Sequence, residues 1–163
     1  MTVSSESRNE AGSPTAEALH PKRTTRIGIR NVRTLNQTGK LSQVVREFDK
    51  YRLDLLGLCE TRWTGSDKRS LQSGHTFIFS GNSTEHEQGV GLLMGGTVGR
   101  SLLEWEPYGP RLLRARFNSK FTKLSVIVCY APTEEAEEEV KDQFYEQLQA
   151  IVENVPAHDM LLL

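Results

Sequence analysis

The feature that most constrains this chain is the run Leu53-Asp54-Leu55-Leu56-Gly57-Leu58-Cys59-Glu60. It is apolar at nearly every position and short enough to be a strand. That pattern suits a strand covered on both faces, in a layered α/β architecture rather than on an open antiparallel surface. The run stops abruptly on a carboxylate, and Arg62 and Trp63 follow at once. Two other stretches have the same form. Arg26 to Val32 is a short strand carrying Asn31 near its end, and Leu124 to Thr133 is an apolar strand ending on Tyr130 before Ala131-Pro132. We read Asn31, Glu60 and Tyr130 as three polar groups delivered to one rim of a sheet.

The order of elements supports this layering. Between the first two strands, Leu41, Val44, Val45 and Phe48 recur at helical spacing, predicting an amphipathic helix over 41–51. Strand, helix and strand in so short a span predict a βαβ unit and a parallel pair. The middle of the chain differs. Gly74 to Ser80, Val90 to Met94, Leu102 to Trp105, Arg111 to Phe117 and Leu124 to Tyr130 are strand candidates joined by turn residues, predicting a largely antiparallel region. Leu112, Ala115 and Phe117 do not alternate cleanly, which leaves the register of that strand open. After Pro132, Thr133 is a candidate cap for a helix whose inner face is Val140, Phe144, Leu148, Ile151, Val152 and Val155. Pro156 ends it, and Met160 to Leu163 begins another strand, which predicts a domain truncated at its C-terminus.

At 163 residues the chain has length for one core. Residues 1–25 are rich in Ser, Glu, Thr, Ala and Pro, predicting a disordered leader, with the domain over 26–163. The net charge of -1 conceals an asymmetry: residues 134–153 carry a local charge of -7, so the remainder carries +6. The acidic run suits the solvated side of a helix. The basic part, with Arg30, Arg33, Arg62, Arg69, Arg111, Arg114 and Arg116, allows an anionic ligand but is equally ordinary surface. Cys59 and Cys129 sit in apolar runs and read as small buried hydrophobes in a reducing compartment. With no apolar run long enough to span a membrane and no signal-like N-terminus, a nuclear or cytoplasmic location is the expectation.

Taken singly, these residues have plain alternatives. Glu60 could be a strand-end carboxylate in a surface ion pair, Asn31 a turn former and Tyr130 a core aromatic. Trp63 and Trp105 suit packing, although Trp63 could also stack on a base. His75 reads as surface and His158 as a loop residue.

Together the stretches resemble the endonuclease/exonuclease/phosphatase superfamily. The resemblance rests on Asn-Val-Arg-Thr-Leu (31–35), Leu-Gly-Leu-Cys-Glu-Thr-Arg-Trp (56–63), Gly-Val-Gly-Leu-Leu (89–93) and Cys-Tyr-Ala-Pro-Thr (129–133), in order, and covers about residues 26–163. In detail it is similar to the apurinic/apyrimidinic-type endonuclease domain of non-LTR retrotransposons. The resemblance implies a two-sheet α/β sandwich, C-terminally truncated here, that hydrolyses phosphodiesters of nucleic acid, DNA above all, with Mg²⁺ or Mn²⁺. It implies that Glu60 is the metal-binding carboxylate, with Asn31 beside it at the metal, and that Tyr130 contacts the phosphate. Arg33, Arg62 and Trp63 would then hold the nucleic acid.

Two departures bear on this. Arg30 stands where members commonly have Trp. The family's Gly-Asp-x-Asn and Ser-Asp-His motifs, which supply the group that activates water, have no counterpart in the sequence. Two alternatives follow: a non-catalytic retrotransposon remnant acting as an interaction module, or another branch of the superfamily such as a deadenylase, inositol phosphatase or sphingomyelinase.

Overall fold

The computed structural model describes residues 16–163, and these form two β-sheets packed face to face with a helix outside each. The first sheet holds β1 (Ile27–Asn31), β2 (Leu55–Cys59), β3 (Ser66–Ser70), β4 (Thr76–Ser80) and β5 (Val90–Met94), in the order β1-β2-β5-β4-β3. The second holds β6 (Leu102–Pro107), β7 (Leu112–Phe117), β8 (Leu124–Cys129) and β9 (Met160–Leu162), in chain order. Helix α1 (Lys40–Lys50) joins β1 to β2, α2 (Gly96–Arg100) joins the sheets, and α3 (Glu138–Glu153) joins β8 to β9. Both helical crossovers join parallel pairs, β1 with β2 and β8 with β9; every other pair is antiparallel. The expected two-sheet α/β sandwich is the observed architecture.

Alternation along the strands explains the layers. On β2, Leu55 faces the opposite sheet, and Leu56 and Leu58 face α1, whose Val44, Val45 and Phe48 pack on them. Each of the five β2 residues is buried, as the unbroken apolar run requires. Phe48 is 2% exposed, and burying a side chain of that size contributes roughly 1.5–3 kcal/mol. The irregular pattern of β7 has the same origin. Leu113, Ala115 and Phe117 face the first sheet, while Leu112 turns the other way onto Ile127, Phe144 and Ile151 beneath α3. Gly91 is required at the centre, because a Cβ there would stand 2.6 Å from the Phe77 ring.

Several expectations need correcting. Strand β3, Ser-Asp-Lys-Arg-Ser, carries no apolar signal because it is an edge strand paired only with β4. Thr133 caps no helix: residues 134–136 form a turn, Glu137 is the N-cap of α3, and Val140 is 40% exposed rather than inward. His75 is buried, not on the surface. It bridges Asp49 Oδ1 and Ser73 Oγ at 2.8 Å each and meets the Phe48 ring edge-on. The first part of the expected leader, residues 1–15, lies outside the described residues. Residues 16–19 pack against the domain, Ala18 being 3% exposed with its amide donating to the Asn118 carbonyl, whereas 20–24 are exposed, Arg23 pairing with Asp54. Among the described residues no helix is long and apolar enough to cross a membrane.

Candidate active site

Register brings the candidate residues together. Asn31 pairs with Cys59 across the parallel β1–β2 ladder, so the next residue, Glu60, stands beside it. Tyr130 follows β8 directly in the facing sheet. The side chains converge on one oxygen: Asn31 Nδ2 and the Tyr130 hydroxyl each donate to Glu60 Oε1 at 2.7 Å. The Arg33 amide donates to Asn31 Oδ1 at 2.9 Å, which fixes which end of the Asn31 amide faces Glu60. Among the described residues, Glu60 Oε2 is approached by the Arg62 guanidinium, at 3.9 Å. A cleft of about 340 Å³, lined by Glu60, Arg62, Glu87, Gln88 and Tyr130, opens here.

The two titrating partners shift in opposite directions for one reason. The bonds from Asn31 and then Tyr130 hold the Glu60 carboxyl below its usual range, with smaller help from the Arg62 and Arg33 charges. Accepting that bond, Glu60 pushes the Tyr130 phenol up. The carboxylate is therefore ionised at neutral pH, and the phenol is protonated and donating. Behind them both cysteines are free thiols; burial raises Cys59 and pushes Cys129 to about 11.

The backbone at this rim is unusual. Arg33, Glu60, Arg62 and Gln88 adopt left-handed conformations with φ between 56° and 59°, four of the five described non-glycine residues that do so. Each such residue costs of order 1–3 kcal/mol, and such residues gather at functional sites. The conformations are held from outside. The Thr61 and Arg62 amides donate to the Gly89 and Gln88 carbonyls at 3.2 and 2.8 Å, extending the β2–β5 ladder past its last regular pair. Gly89 has φ +94°, and a Cβ on it would stand 2.4 Å from Thr61 Oγ1.

Most of the arginines have other tasks. Arg30 pairs with Glu47 on α1, which accounts for a cation where a tryptophan is common. Arg69 lies over the Trp63 ring, Arg114 is buried against Glu104 and Glu106, and Arg116 grips Asp159. Arg33 and Arg62 remain exposed beside Glu60. Trp63 is half-buried, packed edge-on against Phe77 and Phe79. Glu87, Gln88 and Arg111 were not singled out as site residues from sequence. The pairing of Gly89 with the residues after β2 was the available signal for Gln88, and the Gly109-Pro110 turn was the signal for Arg111.

A hard cation suits this donor set. Mg²⁺ is held by as few as one or two carboxylates and keeps several waters. Glu60 supplies one ionised carboxylate at the lining of the cleft. The Asn31 amide is used at both ends in this arrangement, so it orients Glu60. Among the described residues there is no group of three or more His, Cys, Asp or Glu that could hold a metal ion.

No family model matches the chain. Craniofacial development protein 2 from Bos taurus is 34% identical over 137 residues, covering 84% of this chain and 23% of that protein; its namesake from Tragulus javanicus is 34% identical with 84% and 24% covered. The chain thus spans about a quarter of the length of the curated relatives it matches. Among solved structures, the Xenopus laevis APE2 catalytic domain superposes with a TM-score of 0.58 at 16% identity, covering 78% of this chain and 54% of that one. An AP endonuclease from Archaeoglobus fulgidus gives 0.58 at 20%, covering 82% and 52%. An endonuclease/exonuclease/phosphatase family protein from Leptotrichia buccalis gives 0.52 at 10%, covering 85% and 64%.

Proposed function

The chain is a homologue of craniofacial development protein 2 with the endonuclease/exonuclease/phosphatase fold, and from that footing we propose that its rim serves metal-dependent hydrolysis of phosphodiester bonds in DNA. The observation that carries this reading is the state of Glu60: an ionised carboxylate that lines a cleft, with both of its short hydrogen bonds from neutral donors placed on one oxygen. Glu60 would hold Mg²⁺ or Mn²⁺, and such an ion, when bound, neutralises phosphate charge and stabilises the leaving oxygen. The chain's own residues do the rest. Asn31 and Tyr130 fix the direction of the carboxylate, and Tyr130 would donate to a phosphate oxygen only by turning its single O–H away from Glu60 Oε1. Arg33 and Arg62 offer exposed guanidinium groups to the backbone of the nucleic acid, for which paired N–H donors are well shaped. Trp63 is available to a base only along the part of its ring that is uncovered. The form Cys59-Glu60-Thr61-Arg62-Trp63 favours the retrotransposon type of endonuclease, with the nucleus or cytoplasm as the place of action.

No described residue within hydrogen-bond distance of Glu60 can act as a general base, which favours a second reading: a non-catalytic remnant that binds a partner through this domain. One experiment separates the two. The full-length protein is given supercoiled plasmid, with and without abasic sites, in Mg²⁺ or Mn²⁺. Nicking that falls about 100-fold or more in Glu60→Gln supports the catalytic reading. Nicking unchanged in that variant removes Glu60 from the site, and no nicking by the parent protein leaves the interaction module.

A further inference from the structure

We infer that Arg111 is the positioning residue of this rim: it sets where the Tyr130 phenol stands and, through it, which oxygen of Glu60 is left open. The inference deepens the reading above and rests on it for its functional meaning, although its structural content can be tested separately. Three contacts join Arg111 to Tyr130. Arg111 Nη1 donates to the Tyr130 carbonyl at 3.0 Å. The Tyr130 amide donates to the Arg111 carbonyl at 2.8 Å. The guanidinium carbon lies 5.3 Å from the centroid of the Tyr130 ring, within range of a cation–π interaction. One residue therefore holds the backbone of Tyr130 and the face of its ring, while the hydroxyl is held by Glu60.

The anchorage of Arg111 gives this meaning. It closes the turn Gly109-Pro110-Arg111, which belongs to the second sheet but is fastened to the first. Ser80, 1% exposed at the end of β4, donates to the Gly109 carbonyl at 2.6 Å, and the Gly89 amide donates to the Pro110 carbonyl at 3.0 Å. Gly89 in turn accepts from Thr61. The turn thus ties the strand end bearing Glu60 to the strand end bearing Tyr130, with Arg111 as the side chain that completes the tie. A guanidinium does this because it is planar and directional, stacking on the ring while an N–H in its plane reaches a carbonyl; a lysine ammonium is a point charge on a flexible stem. The competing role is a surface cation that attracts the polyanion and leaves Tyr130 alone.

The test uses the full chain labelled with 3-fluorotyrosine, which gives four resonances, with Tyr130→Phe assigning one. In Arg111→Ala the Tyr130 resonance is expected to move toward the position of free fluorotyrosine while those of Tyr51 and Tyr145 stay, and Arg111→Lys is expected to restore it only in part. An unmoved Tyr130 resonance in a folded Arg111→Ala protein overturns the inference, as does a joint movement of all four. Should the alanine variant fail to fold, Arg111→Lys is read by the same criterion. Mn²⁺ binding by electron paramagnetic resonance forms the second arm: affinity lost in Glu60→Gln and several-fold weaker in Arg111→Ala supports the whole scheme. If the parent protein binds no Mn²⁺ but the fluorine shift appears, the metal reading fails and the positioning role of Arg111 stands.

Discussion

Two carboxylates in this molecule are both held ionised by hydrogen bonds, and they differ in a way that separates a structural acid from a working one. Asp159, just before β9, has a side chain 3% exposed. Arg116 grips it through both oxygens, Nε to Oδ2 at 2.7 Å and Nη2 to Oδ1 at 2.9 Å, and Ser125 adds a third bond at 2.7 Å. Its charge is neutralised and its acceptor sites are filled. Glu60 has both of its strong bonds on Oε1, from neutral donors, and its side chain is 22% exposed. Its charge is not cancelled at bonding distance, and the residue lines the cleft. Packing explains the first arrangement completely. The second leaves a capacity unused by the fold, bought with four left-handed residues.

The largest effect that would sharpen this contrast is on stability. Asp159→Asn should destabilise by roughly 1–3 kcal/mol, because the half-buried Arg116 loses its charged partner and one of its two bonds. Glu60→Gln should cost less than about 1 kcal/mol, since the amide oxygen still accepts both bonds. Urea melts of the two variants compare these directly, and equal losses would erase the distinction. Next comes the dependence on acid. Both carboxyls lie below their ordinary values when folded, so the stability they add is fully present above about pH 4 and is lost as pH falls through the lowered values. The acid limb of the stability curve should flatten in Asp159→Asn, and a parent-like limb in that variant would show that the Arg116 pair does not hold the charge. The smallest effect concerns the strained backbone. Arg62→Gly should stabilise by roughly 0.5–1 kcal/mol, by relieving a left-handed conformation at φ 58°. At the same time it should weaken DNA binding and its salt dependence. A loss of stability would mean that the Arg62 side chain supports the fold rather than a ligand.

The two regions also differ in how visible they were in the sequence. Glu60 announces itself because a run buried on both faces ends on an acid, and Asn31 and Tyr130 because they end the strands placed beside it. Asp159 lay unmarked in Ala-His-Asp-Met, since its partners Arg116 and Ser125 come from β7 and β8 and meet it only through the parallel pairing of β9. His75 was misread for the same reason: Asp49 reaches it from α1, far away in sequence. Strand β3 was hidden by its polarity as an edge, and α2 by its glycines. Local periodicity reports which face of an element is buried. It does not report which distant polar group will be found there.

The order of the first sheet has a consequence for motion. β5 lies between β2 and β4, and each of its residues is buried, whereas β1 is bonded on one side only and leaves Ile29 74% exposed. In deuterated water the amides of Val90–Met94 should therefore be the last of that sheet to exchange, opening only with global unfolding, while half of β1 exchanges through local fraying. Asn31 ends that fraying strand and Glu60 follows the strand beside it. The candidate site thus stands on a steep gradient of protection, anchored by the slowest strand through Gln88 and Gly89 and reached at its other side by an edge strand.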